Sequence, residues 1–190
     1  MWIQTHSGQA IDVDGTLDPE AMNLGDIAHG LAMTTRYGGQ CKFFYSVAEH
    51  SINVWRYARE YAKAQGMKDH VSLSLQRAAL MHDAQEAYLG DIPKPLKMAL
   101  PGYQEIEKQF EAALAARFGL ATAAWKTEIK EADIAVLFAE RAQLLGPSPR
   151  DDWSHGIIGE AWPGCEVLGW PWQLAKERFL YVAEGLEIGH

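Results

Sequence analysis

Two histidines and two aspartates, spread over three stretches of the chain, have the types and spacing for divalent-metal chemistry: His50, the adjacent pair His82-Asp83, and Asp133. A His-Asp dipeptide arises too readily by chance to mean anything alone. This one stands in an apolar run, Ala78-Ala79-Leu80-Met81-His82-Asp83-Ala84. Imidazole and carboxylate groups seldom face a core unless they are paired or bound to a metal. His50 and Asp133 fall on the apolar faces of two other helical stretches and offer the missing partners. Two imidazoles and two carboxylates suit Mn, Co, Fe or Zn, with positions left for water and substrate. Taken singly, His50 reads more simply as a hydrogen-bonded core histidine. Asp133, in Lys130-Glu131-Ala132-Asp133, reads as part of a solvated face. The set of four carries the metal reading.

Glu86 lies one helical turn beyond His82 and Asp83, on the same face. It can orient or deprotonate a water, or protonate a leaving oxygen; read alone it is a surface glutamate. Asp91 follows Gly90 and can hold sugar hydroxyls or serve as the acid. Basic residues gather around these stretches: Arg36, Lys94, Lys97 and Lys130. Each alone is a solvated charge. Together they can anchor a phosphate, with Arg36 suited to bidentate contact. Tyr37 can stack on a base or can be a half-buried aromatic.

The elements that must position these groups are mostly helices. The start, with Trp2-Ile3-Gln4-Thr5 and Gln9-Ala10-Ile11-Asp12-Val13 around His6-Ser7-Gly8, reads as a small β-hairpin within residues 1–20. Asp26 caps a first helix to about Thr34. Arg36 to Phe44 is a loop. Ser46-Val47-Ala48-Glu49 is a capping box that opens a helix to about Ala64. Asp69 caps a third helix with an inner stripe of Leu75, Ala79, His82, Glu86 and Leu89, ended by Gly90, with Pro93 and Pro95 preventing resumption. A fourth spans about Tyr103 to Phe118, a fifth about Thr122 to Leu145, and a last about Pro171 to Leu186. Residues 147–170, rich in Trp, Pro and Gly and including Trp153, Trp162 and Trp170, are loop. The expected fold is therefore mostly α, a bundle of five or six helices with a minor hairpin, forming one domain over 1–190.

Composition narrows the function. With 17 basic and 25 acidic residues, and a net charge of −8, the chain lacks the basic surface that extended nucleic acid requires. No apolar run approaches the ~18–20 residues of a membrane span. The segment Met1 to His6 lacks the basic and apolar regions of a signal peptide. The two cysteines, Cys41 and Cys165, form no CxxC pair and read as reduced thiols. The expectation is a cytoplasmic protein.

With these motifs in order, the sequence resembles the HD-domain metal phosphohydrolases, and within them the YfbR-like 5′-deoxynucleotidases. It is similar too to short bacteriophage enzymes that remove triphosphate from dATP. The likeness spans roughly residues 26–145. It rests on Arg36-Tyr37, on Ser46 to Ser51, on the long run His82 to Lys97, and on Lys130 to Asp133. The resemblance implies metal ligation by His50, His82, Asp83 and Asp133, with Co, Mn, Zn or Fe bound. It implies Glu86 as the acid/base residue, Asp91 as an acidic site residue, Arg36, Lys97 and Lys130 on phosphate, and Tyr37 by the base. Lys94 adds charge for a longer phosphate tail, with which extra Mg or Mn would bind. Tyr37 stands where YfbR-like enzymes carry Trp, and Gly38-Gly39 follow it, so the base pocket is expected to be looser.

The expected reaction is hydrolysis of a (deoxy)nucleoside 5′-phosphate to nucleoside and phosphate. The alternative is release of triphosphate from a dNTP; both proceed by attack at the α-phosphorus. The partner is a small nucleotide, and the likeness implies a homo-oligomer. A guanosine tetraphosphate hydrolase would carry Glu-Asp where Glu86-Ala87 stands. A dinuclear oxygenase needs more histidines near the first metal. His70 is twelve residues before His82, about 18 Å along a helix. A helical scaffold with a degenerate site is the non-enzymatic alternative, and the presence of all four ligands and Glu86 counts against it.

Overall fold

The computed structural model describes residues 1–13, 17–150 and 156–189. Strands β1 (Trp2–Gln4) and β2 (Ala10–Asp12) pair antiparallel, with Ile3 opposite Ile11. Eight α-helices follow among the described residues: α1 (Leu24–Met33), α2 (Val47–Ala64), α3 (Asp69–Leu80), α4 (Glu86–Leu89), α5 (Lys94–Ala99), α6 (Pro101–Phe118), α7 (Lys126–Leu144) and α8 (Trp172–Gly185). Six of these have ten or more residues, so the expected five or six long helices are present, joined by two short ones. Two 3-10 turns, Pro19–Ala21 and Arg36–Gly39, complete the regular structure. No helix is long and apolar enough to cross a membrane among these residues.

Helix α2 is the axis. Val47 through Val54 are buried all round, the pattern of a helix enclosed on every side, and α1, α3, α7 and α8 pack against it. One apolar cluster joins α1, α2, α6 and α8 around Leu31, Phe110 and Phe179. A second joins α2, α3 and α7 around Val54, Leu75 and Val136. Each fully buried side chain of that size contributes about 1.5–3 kcal/mol. These clusters fix α2, α3 and α7, the three helices at whose ends or faces the candidate residues sit.

Several local expectations change. Helix α1 is capped by Asn23, whose Oδ1 accepts from the Asp26 amide at 2.8 Å; Asp26 itself lies in the first turn. Asp69 is the first residue of α3 and caps nothing. Helix α7 begins at Lys126, after a turn, rather than near Thr122. Pro93 and Pro95 do not prevent a helix. They sit at the start of α5, where a missing N–H is harmless and the fixed φ is already helical. Ser46 caps α2 by accepting from the Glu49 amide at 3.1 Å. The reciprocal half of the capping box does not form, because the Glu49 carboxylate accepts from the amides of Leu168, Gly169 and Trp170 instead, at 2.7–3.1 Å.

The largest change is in the third helix. It stops at Leu80, and a series of i→i+3 turns carries the chain from Met81 to the start of α4. Gly30 explains part of this. A Cβ there would stand 2.6 Å from the carbonyl oxygen of Ala87, so α4 is pressed onto α1 away from the axis of α3. Gly90, at φ 76°, then ends α4 as expected. Residues 156–170 hold no helix or strand, as expected; Trp153 lies outside the described residues.

Candidate active site

The break after α3 decides what His82 and Asp83 can do. Adjacent residues in a regular helix do not face each other. In the tight turn they do, and His82 Nε2 comes within 3.0 Å of Asp83 Oδ2. Helix α2 brings His50 Nε2 to 3.6 Å from the same oxygen, and α7 brings Asp133 Oδ1 to 3.5 Å from His50 Nε2. One ligand atom each from His50, His82 and Asp83 lies within 4.8 Å of the others.

The far side of each imidazole is tied back. His50 Nδ1 donates to Glu140 Oε1 at 2.7 Å, and His82 Nδ1 donates to the Ala79 carbonyl at 2.9 Å. Acceptors on Nδ1 leave both Nε2 atoms as lone-pair donors, the arrangement of metal-bound imidazole. Both Nε2 atoms are buried and lack an aligned hydrogen bond. His50 is fully buried, yet its pKa is raised to about 9. Burial and Arg36 oppose the rise; Glu140 and Asp133 impose it. Asp83 and Asp133 are held below the ordinary carboxylate range against burial, chiefly by His82 and by His50 respectively. A field that holds protons on imidazole and strips them from carboxylates suits a divalent cation. The donor set of two nitrogens and two carboxylates fits one.

A cavity of about 590 Å³ opens above this cluster. Of the eleven residues singled out from sequence, ten line it, and His50 lies beneath them in the core. Glu86 is buried, with Oε2 unpartnered and Oε1 3.2 Å from Lys97 Nζ. Burial, then Asp83 and Asp91, push its carboxyl well above the usual value, toward the protonated form. Arg36 is buried against three carboxylates, Glu140 at 3.3 Å, Asp83 at 3.8 Å and Asp91 at 4.0 Å. These hold its charge against burial. Lys130 reaches Asp133 at 2.8 Å. Lys94 is exposed at the rim and pairs with no carboxylate among the described residues. Tyr37 lines the cavity at φ 56°, a left-handed backbone that is rare for an aromatic residue.

Sequence reasoning assigned no role to Glu140, Glu107 or Glu111. Glu140 sits on α7 seven residues beyond Asp133, on the same face. A carboxylate within the buried stripe Ala132, Val136 and Ala139 was the available clue. Glu107 accepts from Lys97 at 2.7 Å, and Glu111 lines the same wall. Their i, i+4 spacing on α6 carried no motif. Leu137, Leu145 and Ile157 add an apolar side to the cavity.

A family model described as 5′-deoxynucleotidase YfbR-like matches residues 27–131. The chain is 31% identical over 191 residues to the uncharacterized protein YfdR of Escherichia coli, spanning 96% of each. It is 40% identical over 154 residues to an uncharacterized protein of Rhodobacter capsulatus, spanning 76% of this chain and 74% of that one. Over 75 residues it is 33% identical to the dATP triphosphohydrolase of Cyanophage S-2L, spanning 40% of this chain and 42% of the phage protein.

Proposed function

The chain belongs to the YfbR-like 5′-deoxynucleotidase family of HD-type nucleotide phosphohydrolases, and on that footing we propose that it hydrolyses the 5′-phosphate ester of deoxynucleoside monophosphates, releasing nucleoside and phosphate. The observation that carries this reading is the convergence of His50 and His82 Nε2 on Asp83, beside Asp133 and under a cavity with Glu86 and four basic side chains. His50, His82, Asp83 and Asp133 would hold a divalent transition metal. Bound there, it supplies Lewis acidity toward the phosphoryl oxygen and lowers the pKa of water.

The protein's own groups do the rest. Glu86 holds a proton in a buried position and delivers it to the leaving 5′-oxygen, or takes one from the attacking water. Asp91 keeps Arg36 oriented and lies where sugar hydroxyls can be met. Arg36, Lys97 and Lys130 neutralise the charge that grows on the phosphoryl oxygens. Each already faces a carboxylate, so phosphate replaces an existing partner rather than meeting a bare charge. Tyr37 and the apolar wall of Leu137, Leu145 and Ile157 receive the base.

A second reading is release of triphosphate from dATP, the activity in the name of the cyanophage relative. Lys94 favours it as the rim cation without a carboxylate partner. Glu107 and Glu111 oppose it, since they add negative charge where further phosphates would lie. Product analysis by ion exchange separates the two. The purified protein is incubated with Co or Mn and with dAMP or dATP, beside Asp83→Ala. Deoxyadenosine from dAMP is the expected result. Deoxyadenosine with intact triphosphate from dATP would replace the first reading by the second. No turnover of either by metal-loaded protein would reject both. The homo-oligomer implied by family likeness belongs to the same proposal, and light scattering at assay concentration tests it.

A further inference from the structure

Glu140 is a fully buried carboxylate, a costly group unless every oxygen is compensated. Its two oxygens are compensated by two different parts of the site. Oε1 accepts from His50 Nδ1 at 2.7 Å and from Tyr45 Oη at 2.8 Å. Oε2 accepts from Tyr37 Oη at 3.1 Å and faces Arg36 Nε at 3.3 Å. The first pair stands on the metal side, and the second on the nucleotide side. Building on the function proposed above, we infer that Glu140 is a positioning residue that sets the metal-ligand imidazole with one oxygen and the nucleotide-binding turn with the other.

Each oxygen has a specific task. On the Oε1 side, an ionised acceptor keeps the proton of His50 on Nδ1 and aims Nε2 at Asp83 and Asp133. Tyr45 secures that oxygen, and Asn53 Nδ2 donates to Tyr45 Oη at 3.1 Å, so the carboxylate cannot swing away from the ring. On the Oε2 side, the turn Arg36–Gly39 includes Tyr37 and Gly38, both at positive φ. A bulky residue stays in that region only where its surroundings hold it. The Tyr37 hydroxyl is tethered to Oε2, and the Arg36 amide donates to the Tyr45 carbonyl at 2.9 Å. Removing Glu140 therefore frees the ring and the turn together.

Three donors, on His50, Tyr45 and Tyr37, hydrogen-bond to the carboxylate and the Arg36 guanidinium faces it, so Glu140→Gln must turn its NH2 against a donor on one side or the other. The test uses full-length protein with the metal removed. Co(II) affinity is read by competition with a chromophoric chelator, without substrate, and the visible spectrum of the Co(II) form is recorded. Glu140→Gln is expected to lose about 10–100-fold in metal affinity, the usual effect of an outer partner of a ligating histidine, with a shifted Co(II) spectrum. Tyr45→Phe should weaken metal binding and leave the KM for dAMP unchanged. Tyr37→Phe should raise KM and leave Co(II) affinity unchanged. Native Co(II) affinity and spectrum in Glu140→Gln, with only a lowered melting temperature, would overturn the inference. So would equal effects of the two tyrosine variants on metal and on KM. The metal arms need no nucleotide turnover, so a failure of the proposed substrate leaves them decisive. Should Glu140→Gln not fold, Tyr45→Phe carries the same metal-side expectation while keeping the carboxylate charge opposite His50 and Arg36.

Discussion

Among the described residues two pairs of neighbouring histidines stand out, and one of them has the features of a metal site. His50 and His82 are tilted by 52° with centroids 5.3 Å apart, and both Nε2 atoms face Asp83. His6 and His29 are stacked at 3.8 Å and 12°, in a groove between the hairpin and α1 that also contains Asp26. Residue types are therefore nearly the same in both places. The carboxylates differ. Asp26 is already spent: Oδ1 accepts from the Ser7 amide at 2.9 Å, and Oδ2 from Ser7 Oγ and Asn23 Nδ2 at 2.6 and 2.7 Å. The titration directions follow. Burial, His6 and Lys176 lower His29, whereas Glu140 and Asp133 raise His50 to about 9 against burial. A histidine pair can take a cation when carboxylate oxygens face its ring nitrogens, as Asp83 and Asp133 do, rather than being used up by backbone and hydroxyl donors as at Asp26.

The largest break in that contrast comes from removing a carboxylate that faces the imidazoles. Asp83→Ala is expected to lose at least about 100-fold in metal affinity, beyond the range for outer partners, and all measurable hydrolysis. Metal content after dialysis, by mass spectrometry, is the check. His29→Phe, in the other pair, should leave metal content native. Equal metal loss in the two variants would erase the distinction.

Glu86→Gln sharpens the contrast within the active cavity. Glu86 touches Lys97 and no imidazole, so the variant should keep its metal while kcat falls about 10²–10⁴-fold, the usual share of a general acid/base group. Steady-state phosphate release from dAMP, on protein of verified metal content, measures it. A metal-depleted Glu86→Gln would move Glu86 into the ligand set.

Glu49 extends the comparison to a carboxylate adjacent in sequence to His50 that is fully used by the Leu168–Trp170 amides. Glu49→Ala should cost about 1–3 kcal/mol by urea unfolding, because three partly buried amides lose a charged acceptor. Faster amide exchange should appear at those three residues, with metal content retained. Unchanged exchange at Leu168–Trp170 would contradict this.

What the sequence made legible divides along the same line. Ser46 as a cap, Gly90 as a stop, and the apolar faces of α2 and α7 are local features, and local patterns predict them. The eleven candidate side chains lie around one cavity because they sit at fixed offsets from those features. The break at Met81 was invisible. Residues 78–89 are good helix formers, and the break goes with close packing of Ala87 on Gly30, more than fifty residues away in sequence. Glu49 was read as half of a capping box for a similar reason: its partners lie some 120 residues onward, in a segment with no pattern. Glu140 falls on the same side of its helix as Ala132, Asp133 and Val136, but nothing in that spacing names its partners. Only the packing of α2 and of the Arg36–Gly39 turn against α7 supplies them: His50, Tyr45, Tyr37 and Arg36.

The smallest expected effect tests the spent carboxylate itself. Burial alone would raise Asp26, but the hydrogen bonds from Ser7, Thr5 and Asn23 outweigh it, so its folded pKa lies below the ordinary value. A depressed carboxylate contributes stability that is present above its unfolded pKa, about 3.9, and is lost as pH falls through the lower folded value. The hairpin should therefore stay docked on α1 through neutral and mildly acidic pH and loosen only below about 4. Ser7→Ala, which removes one charged hydrogen bond, should cost about 1–2 kcal/mol at neutral pH and nothing once Asp26 is protonated. Unfolding free energies of the native protein and Ser7→Ala, taken across pH 2–7, measure the difference directly. A Ser7→Ala cost that persists undiminished in acid would show that the hydroxyl acts by packing, and that Asp26 is not what exempts the second histidine pair from binding a cation.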